Sequence, residues 1–190
     1  MRAKYFGLLL FFIVCAVISL TAYRTFAQVQ PENANITVSN SDFELLVGKW
    51  SGTLTYLDYT SDSTRVTLNL RMEVAPTDTG MFADVTYIEP DGNEMKSSML
   101  FRESHGGKRV YYDNKAWMLY DKMTTSNGVT LVFQGPGQDN NRNAQITNVL
   151  YMSHPDSSRQ DSVVLTKKVL YENAGHEIDR HQFRLGRVKE

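Results

Sequence analysis

The chain's four histidines are its natural candidates for chemistry near neutral pH, and their settings are unequal. His105 precedes Gly106-Gly107, His154 precedes Pro155, and His176 follows Asn173-Ala174-Gly175, all contexts of solvated loops. Only His181 falls in an alternating segment, sharing a face with Phe183 and Leu185. There an imidazole is either a ligand-binding group or a hydrogen-bonded structural residue. Asp58, Asp84 and Asp121 fall in or beside strand-like segments, but nothing spaces two of them for acid–base work. The chain has no Gly-x-Ser-x-Gly elbow, no His-Glu-x-x-His and no phosphate-binding glycine loop. These residues predict a protein that is not an enzyme, with no catalytic set and no metal-ligand set.

The N-terminus predicts a destination. Arg2 and Lys4 precede an apolar run from Phe6 to Leu20, and Thr25-Phe26-Ala27 puts small residues where a peptidase would cut before Gln28. This is the pattern of a secretory signal peptide over residues 1–27. Arg24 interrupts the roughly twenty apolar residues that a membrane-spanning helix needs, so no stable span is expected after cleavage, although an uncleaved anchor is the alternative. The expected location is secreted, periplasmic or in the cell envelope. The only cysteine, Cys15, leaves with this segment, so no disulfide supports the mature fold. Losing Arg2, Lys4 and Arg24 from 20 basic residues leaves 17 against 21 acidic, a net charge of −4. A mildly acidic chain without a basic cluster offers no footprint for nucleic acid.

The elements that must position any site follow a period of two. From Val66 to Val74 every even position is apolar and every odd one polar, which sends one face inward and the other to water. Trp50, Leu54 and Tyr56 alternate with Ser51, Thr53 and Thr55. Further strands are predicted near 81–88, 94–102, 108–113, 116–124, 129–134, 142–152, 161–171 and 177–188. Turn chemistry separates several of them: Thr77-Asp78-Thr79-Gly80, Pro90-Asp91-Gly92-Asn93, His105-Gly106-Gly107 and Ser126-Asn127-Gly128. Gly135 to Asn143 reads as a loop. Residues 28–40 read as a flexible, exposed lead-in, and Ser41-Asp42-Phe43-Glu44 as the capping box of a short helix. The fold class expected is all-β: an antiparallel up-and-down barrel of 8 to 10 strands, one domain over residues 41–190, with a short N-terminal helix.

Gly48-x-Trp50 at the head of the first strand, behind a short helix and ahead of an antiparallel meander, resembles the calycin superfamily of lipocalins, fatty-acid-binding proteins and nitrobindin-like haem barrels. The resemblance implies a tryptophan plug at Trp50 with a basic residue near the last strand packed across it. Arg187 holds the matching position, with Arg184 as the alternative. The lipocalin second motif is missing, and ten strands suit the fatty-acid-binding or nitrobindin-like plan better than the lipocalin one. The resemblance also implies haem as a possible cofactor, with His181 its axial ligand, and a ligand carboxylate meeting Lys167.

What such a barrel does depends on its lining. The inward phase places Tyr56, Tyr87, Met99, Phe101, Trp117 and Phe133 in the lumen, with Asn148 and Lys167 as polar residues on inner faces. Met and aromatic surfaces adapt to apolar ligands. The expected function is a non-enzymatic barrel that binds a small apolar molecule such as a lipid. The alternatives are a packed barrel acting through its surface loops on a protein partner, for which Gly135–Asn143 and residues 154–160 would serve, and a haem-binding barrel.

Overall fold

The computed structural model describes residues 35–61, 63–155 and 160–189. The expected signal segment with Cys15, and residues 28–34, lie outside these. No helix among the described residues is long and apolar enough to cross a membrane.

A 3-10 helix (Asn40–Leu46) leads into ten strands: β1 (Gly48–Leu57), β2 (Arg65–Thr77), β3 (Gly80–Ile88), β4 (Glu94–Ser104), β5 (Arg109–Tyr112), β6 (Lys115–Thr125), β7 (Gly128–Asp139), β8 (Arg142–Ser153), β9 (Ser162–Tyr171) and β10 (Ile178–Arg187). Each pairs antiparallel with its neighbours in sequence, and β1 pairs with β10 to close the barrel. Closure satisfies the edges that an open sheet would leave for other chains. The alternation of β2 is realised as read: Leu68, Leu70, Met72 and Val74 are buried while Thr67, Asn69, Arg71 and Glu73 face water.

Three local expectations are corrected. The capping box sits two residues earlier than Ser41: Ser39 N–H donates to Asp42 Oδ2 at 2.8 Å, because the helix is a tight 3-10 form that starts at Asn40. Ordered structure also begins before Ser41, since Val38 is buried and its N–H bonds to Gly107 O at 3.0 Å. The stretch from Gly135 to Asn143 is not a loop. β7 runs on to Asp139 and turns into β8 through Asn140 and Asn141, both at positive φ (49° and 58°), the left-handed pair of a tight hairpin that Asn tolerates. This removes one of the two loops on which a surface-acting barrel would have relied.

The barrel has two unlike halves. Toward the N-terminal helix the register stacks apolar tiers across the lumen. Leu131, Leu150, Leu165, Phe183, Leu54 and Leu68 are successive cross-strand partners and form one such tier. Small barrels fill in this way, and here the filling holds for that half. The next tier toward the other end is different. Phe133 faces Asn148, Asn148 faces Lys167, Lys167 faces His181 and His181 faces Tyr56. Five residues marked from the sequence thus share one ring of the wall.

Candidate ligand cavity

The packed end is sealed by Trp50. Its ring is 1% exposed, and its Nε1–H donates to Leu46 O at 2.7 Å, tying the plug to the helix whose Phe43 and Leu46 cover it. Arg187 lies with its guanidinium 4.3 Å from the centre of the Trp50 ring. It donates through Nη1 to Val47 O at 2.7 Å and through Nε to Asp161 Oδ2 at 2.8 Å. A planar, always-charged group suits stacking and forked donation together, which makes Arg187 rather than Arg184 the closing residue. Gly48 is fixed by the same contact: its φ is +124°, and a Cβ there would run into Arg187 Nη1.

At the opposite end the sequence builds a polar cluster around Asp139. The period of two in β7 continues from Leu131 and Phe133 through Gly135 and Gly137, so Asp139 also points inward, and it is 4% exposed. Lys167 Nζ donates to Oδ1 at 2.8 Å, Arg180 Nε lies 2.8 Å from Oδ2, and Tyr171 OH donates to Oδ2 at 2.6 Å. Tyr59 OH adds a longer bond to Oδ1 at 3.3 Å. Arg180, fully buried, also donates to Leu57 O and to Tyr171 OH. Burial alone would raise the Asp139 pKa, but the bonds from Lys167 and Tyr171 and the charges of Lys167 and Arg180 outweigh it and hold the carboxyl below its usual range. Burial and the Asp139 carboxylate push Tyr59 up to about 12, against the opposing charge of Arg180.

Arg180 reaches this cluster through a β-bulge. Asp179 pairs with Lys168 and His181 with Lys167, leaving Arg180 as the extra residue. The insertion lets two consecutive side chains turn inward, which regular pleating forbids.

Between the polar cluster and the apolar tiers lies a half-open cavity of about 200 Å³. Asn148, Lys167 and His181 form its inner polar wall, Trp117, Tyr112 and Ile146 its apolar wall, and Asp113, Lys115 and Gln138 line it nearer the solvent. Gly137 lines the cavity at an inward position of β7, where the missing Cβ makes room for Ile146: a Cβ there would come within 2.8 Å of Ile146 Cδ1. Trp117 is pinned by its Nε1–H, which donates to Tyr112 O at 2.9 Å. The mouth is at the β5–β6 hairpin. β5 pairs with β4 only at Arg102, Glu103 and Ser104, so the wall drops beside the exposed residues 94–98 of β4. The hairpin tip is a tight turn at Asp113 and Asn114, both at positive φ. Lys115 stands next to it, its ammonium 4.3 Å from the centre of the Trp117 ring and donating to Pro136 O, and burial lowers its pKa.

Two polar atoms in this wall have no hydrogen-bond partner: Asn148 Nδ2, on a residue 1% exposed, and His181 Nε2. Burial first, and the charges of Lys167 and Arg180, push the His181 pKa down to about 4 against the pull of Asp139, so the ring is neutral at pH 7.

Of the ligand-binding positions expected from sequence, Trp117, Asn148, Lys167 and His181 meet at the cavity. The others face the lumen elsewhere. Phe101 stacks on Tyr112 at 5.1 Å, Phe133 meets the Tyr112 edge at 5.9 Å, and Tyr87 lies 6.5 Å from Phe183. Met99 packs against the core, and Tyr56 holds the β1 position beside His181. Lys167 does not stand ready for a ligand carboxylate alone, since Asp139 already holds it. Asp139, Arg180, Tyr171, Lys115 and Tyr112 were missed by the sequence reading. Only Asp139 carried a legible signal, as the continuation of the β7 alternation through its glycines. His105 and His176 are exposed, His154 is half-buried, and Asp84 and Asp121 point outward. No group of three or more histidines, cysteines or acids among the described residues is placed to hold a metal ion.

Haem does not fit this site. The free lone pair of a neutral, buried His181 is what an axial ligand needs, but the volume is wrong. Pockets for drug-sized ligands span about 300–1,000 Å³, and haem is larger than most such ligands, whereas this cavity holds about 200 Å³.

Fold and site together define a closed ten-stranded antiparallel barrel, plugged at one end by a tryptophan and holding a small polar-walled cavity toward the other. Comparison with protein-family models, with curated proteins and with solved structures returns no match.

Proposed function

We propose that the protein is a non-catalytic container that holds one small molecule in the cavity beside Trp117. The observation that carries this reading is the pair of unpartnered polar atoms, Asn148 Nδ2 and His181 Nε2, in the wall of the cavity. A buried polar group without a partner costs roughly 1–3 kcal/mol, and a bound ligand can recover that cost. Burial of ligand surface, at roughly 25 cal/mol per Å², supplies the affinity.

The short helix, Gly48-x-Trp50 and Arg187 over the tryptophan support a calycin-like relationship. The size of the cavity favours a compact ligand over a long acyl chain. The charged and apolar pattern of residues 1–27 supports a place outside the cytoplasm, secreted or in the cell envelope.

The test is native mass spectrometry of the protein purified from its own host, followed by denaturing extraction. A stoichiometric small molecule is expected, and Gly137→Leu, which fills the cavity, should lose it. An empty wild-type protein that also takes up no small aromatic probe at saturating concentration would end the container reading.

A further inference from the structure

The wall of the cavity constrains its occupant in three ways. Volume comes first: an apolar cavity of about 150 Å³ accommodates benzene, so a space of about 200 Å³ has room for one ring and a small polar group. The polar wall is rich in donors. Asn148 Nδ2 has no partner, and Lys167 uses one of its three N–H donors on Asp139. Charge is the third constraint. Lys115 has no carboxylate partner among the described residues; Pro136 O and the Trp117 ring hold it at the mouth. Among the described residues the one acid lining the cavity, Asp113, is exposed to solvent at the hairpin tip, while Asp139 is committed to Lys167, Arg180 and Tyr171. An ammonium group inside the cavity, a second at its rim and an unpaired amide N–H call for an acceptor that carries negative charge.

We infer that the ligand is a compact ring carboxylate about the size of benzoate. Its ring lies between Trp117 and Ile146. Its carboxylate accepts hydrogen bonds from Asn148 Nδ2 and the lysine ammonium groups, and His181 Nε2 faces the same tier. A cationic ligand would meet two ammonium groups, and a purely apolar one would leave the amide N–H unpaired. This inference rests on the container reading above.

The experiment is a calorimetric titration of the full chain with benzoate, benzamide and toluene, which share a ring and differ in charge and acceptors. One benzoate is expected to bind at least tenfold more tightly than benzamide or toluene. Asn148→Leu and Lys115→Met should each weaken benzoate at least tenfold and leave toluene within threefold. Lys115 is at the rim, so its variant tests the charge even if Asn148→Leu fails to fold. Equal affinity for toluene and benzoate would overturn the carboxylate and leave the container standing. If none of the three probes binds, both readings fall.

Discussion

Arg180 and His181 are adjacent in the chain and both turn into the barrel, because the bulge between Asp179 and His181 adds a residue to β10 without adding a partner on β9. One is a buried cation bound to Asp139, and the other an imidazole that burial keeps neutral. The pH dependence of stability follows from the second. In the unfolded chain His181 has an ordinary pKa of about 6.5, and in the barrel it is pushed down to about 4. The unfolded state therefore binds the extra proton between these values, so stability is fully present above pH 6.5 and is lost as the pH falls toward 4. The expected loss from this group is about 3 kcal/mol between pH 7 and pH 4. Urea midpoints at pH 7, 5.5 and 4 should fall in sequence for the wild type and flatten in His181→Phe. A wild-type midpoint that does not move over this window would show that the imidazole protonates freely in the folded state.

Asp139 is the hub of the polar end, and its loss should be felt throughout the fold. Asp139→Asn leaves Lys167 and Arg180 without the carboxylate that draws them together, and breaking a buried ion pair from one side costs about 3–5 kcal/mol. The control is Asp121→Asn, on an exposed β6 position, expected to change stability by less than about 0.5 kcal/mol. Because the folded carboxyl stays ionised below its usual range, the Asp139 contribution is lost at more acid pH than that of His181. Equal denaturation midpoints for the two variants would mean that the cluster is incidental to the fold.

Trp50 tests the other end. Trp50→Ala removes a ring that is 1% exposed and should cost about 3–5 kcal/mol, as large core truncations do. Trp50→Phe keeps most of the plug and loses the bond to Leu46 O, so about 1–3 kcal/mol is expected. Calorimetric melting would rank the two. A cost below 1 kcal/mol for the alanine variant would mean that Arg187 and the helix close the barrel without the indole.

The sequence and the structure agree where side chains carry the signal. The strands fall within a few residues of their expected places, except that β7 runs five residues beyond its expected end, since alternating apolar residues such as Leu68, Leu70 and Met72 announce a wall with one wet face. The site was legible only in part. Asn148 and Lys167 betrayed themselves as polar residues in phase with apolar ones. The cavity did not, because Gly135-Pro136-Gly137 has no apolar alternation to read and resembles a loop, although Gly137 lines the cavity. Arg180 was hidden for another reason. A bulge shifts the phase by one residue, and nothing in Ile178-Asp179-Arg180-His181 marks where the extra residue sits. Lys115 and Tyr112 come to the cavity only through the early end of a hairpin, which is a fact of register rather than of composition.

The glycines provide the last test, because two of them are required for opposite reasons. Gly128 opens β7 at the packed end, and a Cβ there would strike Met152 O and approach Ser153 Cα at 2.9 Å, both backbone atoms of the paired strand. Neither can step aside without parting β7 from β8. Gly128→Ala should therefore cost about 1–3 kcal/mol, the range of overpacking. At Gly137 the nearest atom to a new Cβ is Ile146 Cδ1 at 2.8 Å, the tip of a flexible side chain beside an open space. Ile146 can rotate away, and replacing glycine within a strand recovers conformational entropy. Gly137→Ala is thus expected to be within about 0.5 kcal/mol of the wild type, or more stable, while binding weakens as the cavity shrinks. Chemical denaturation of the two variants with a toluene titration checks both halves of this argument. If Gly137→Ala destabilises as much as Gly128→Ala, the space beside Trp117 is already filled and the cavity is not one.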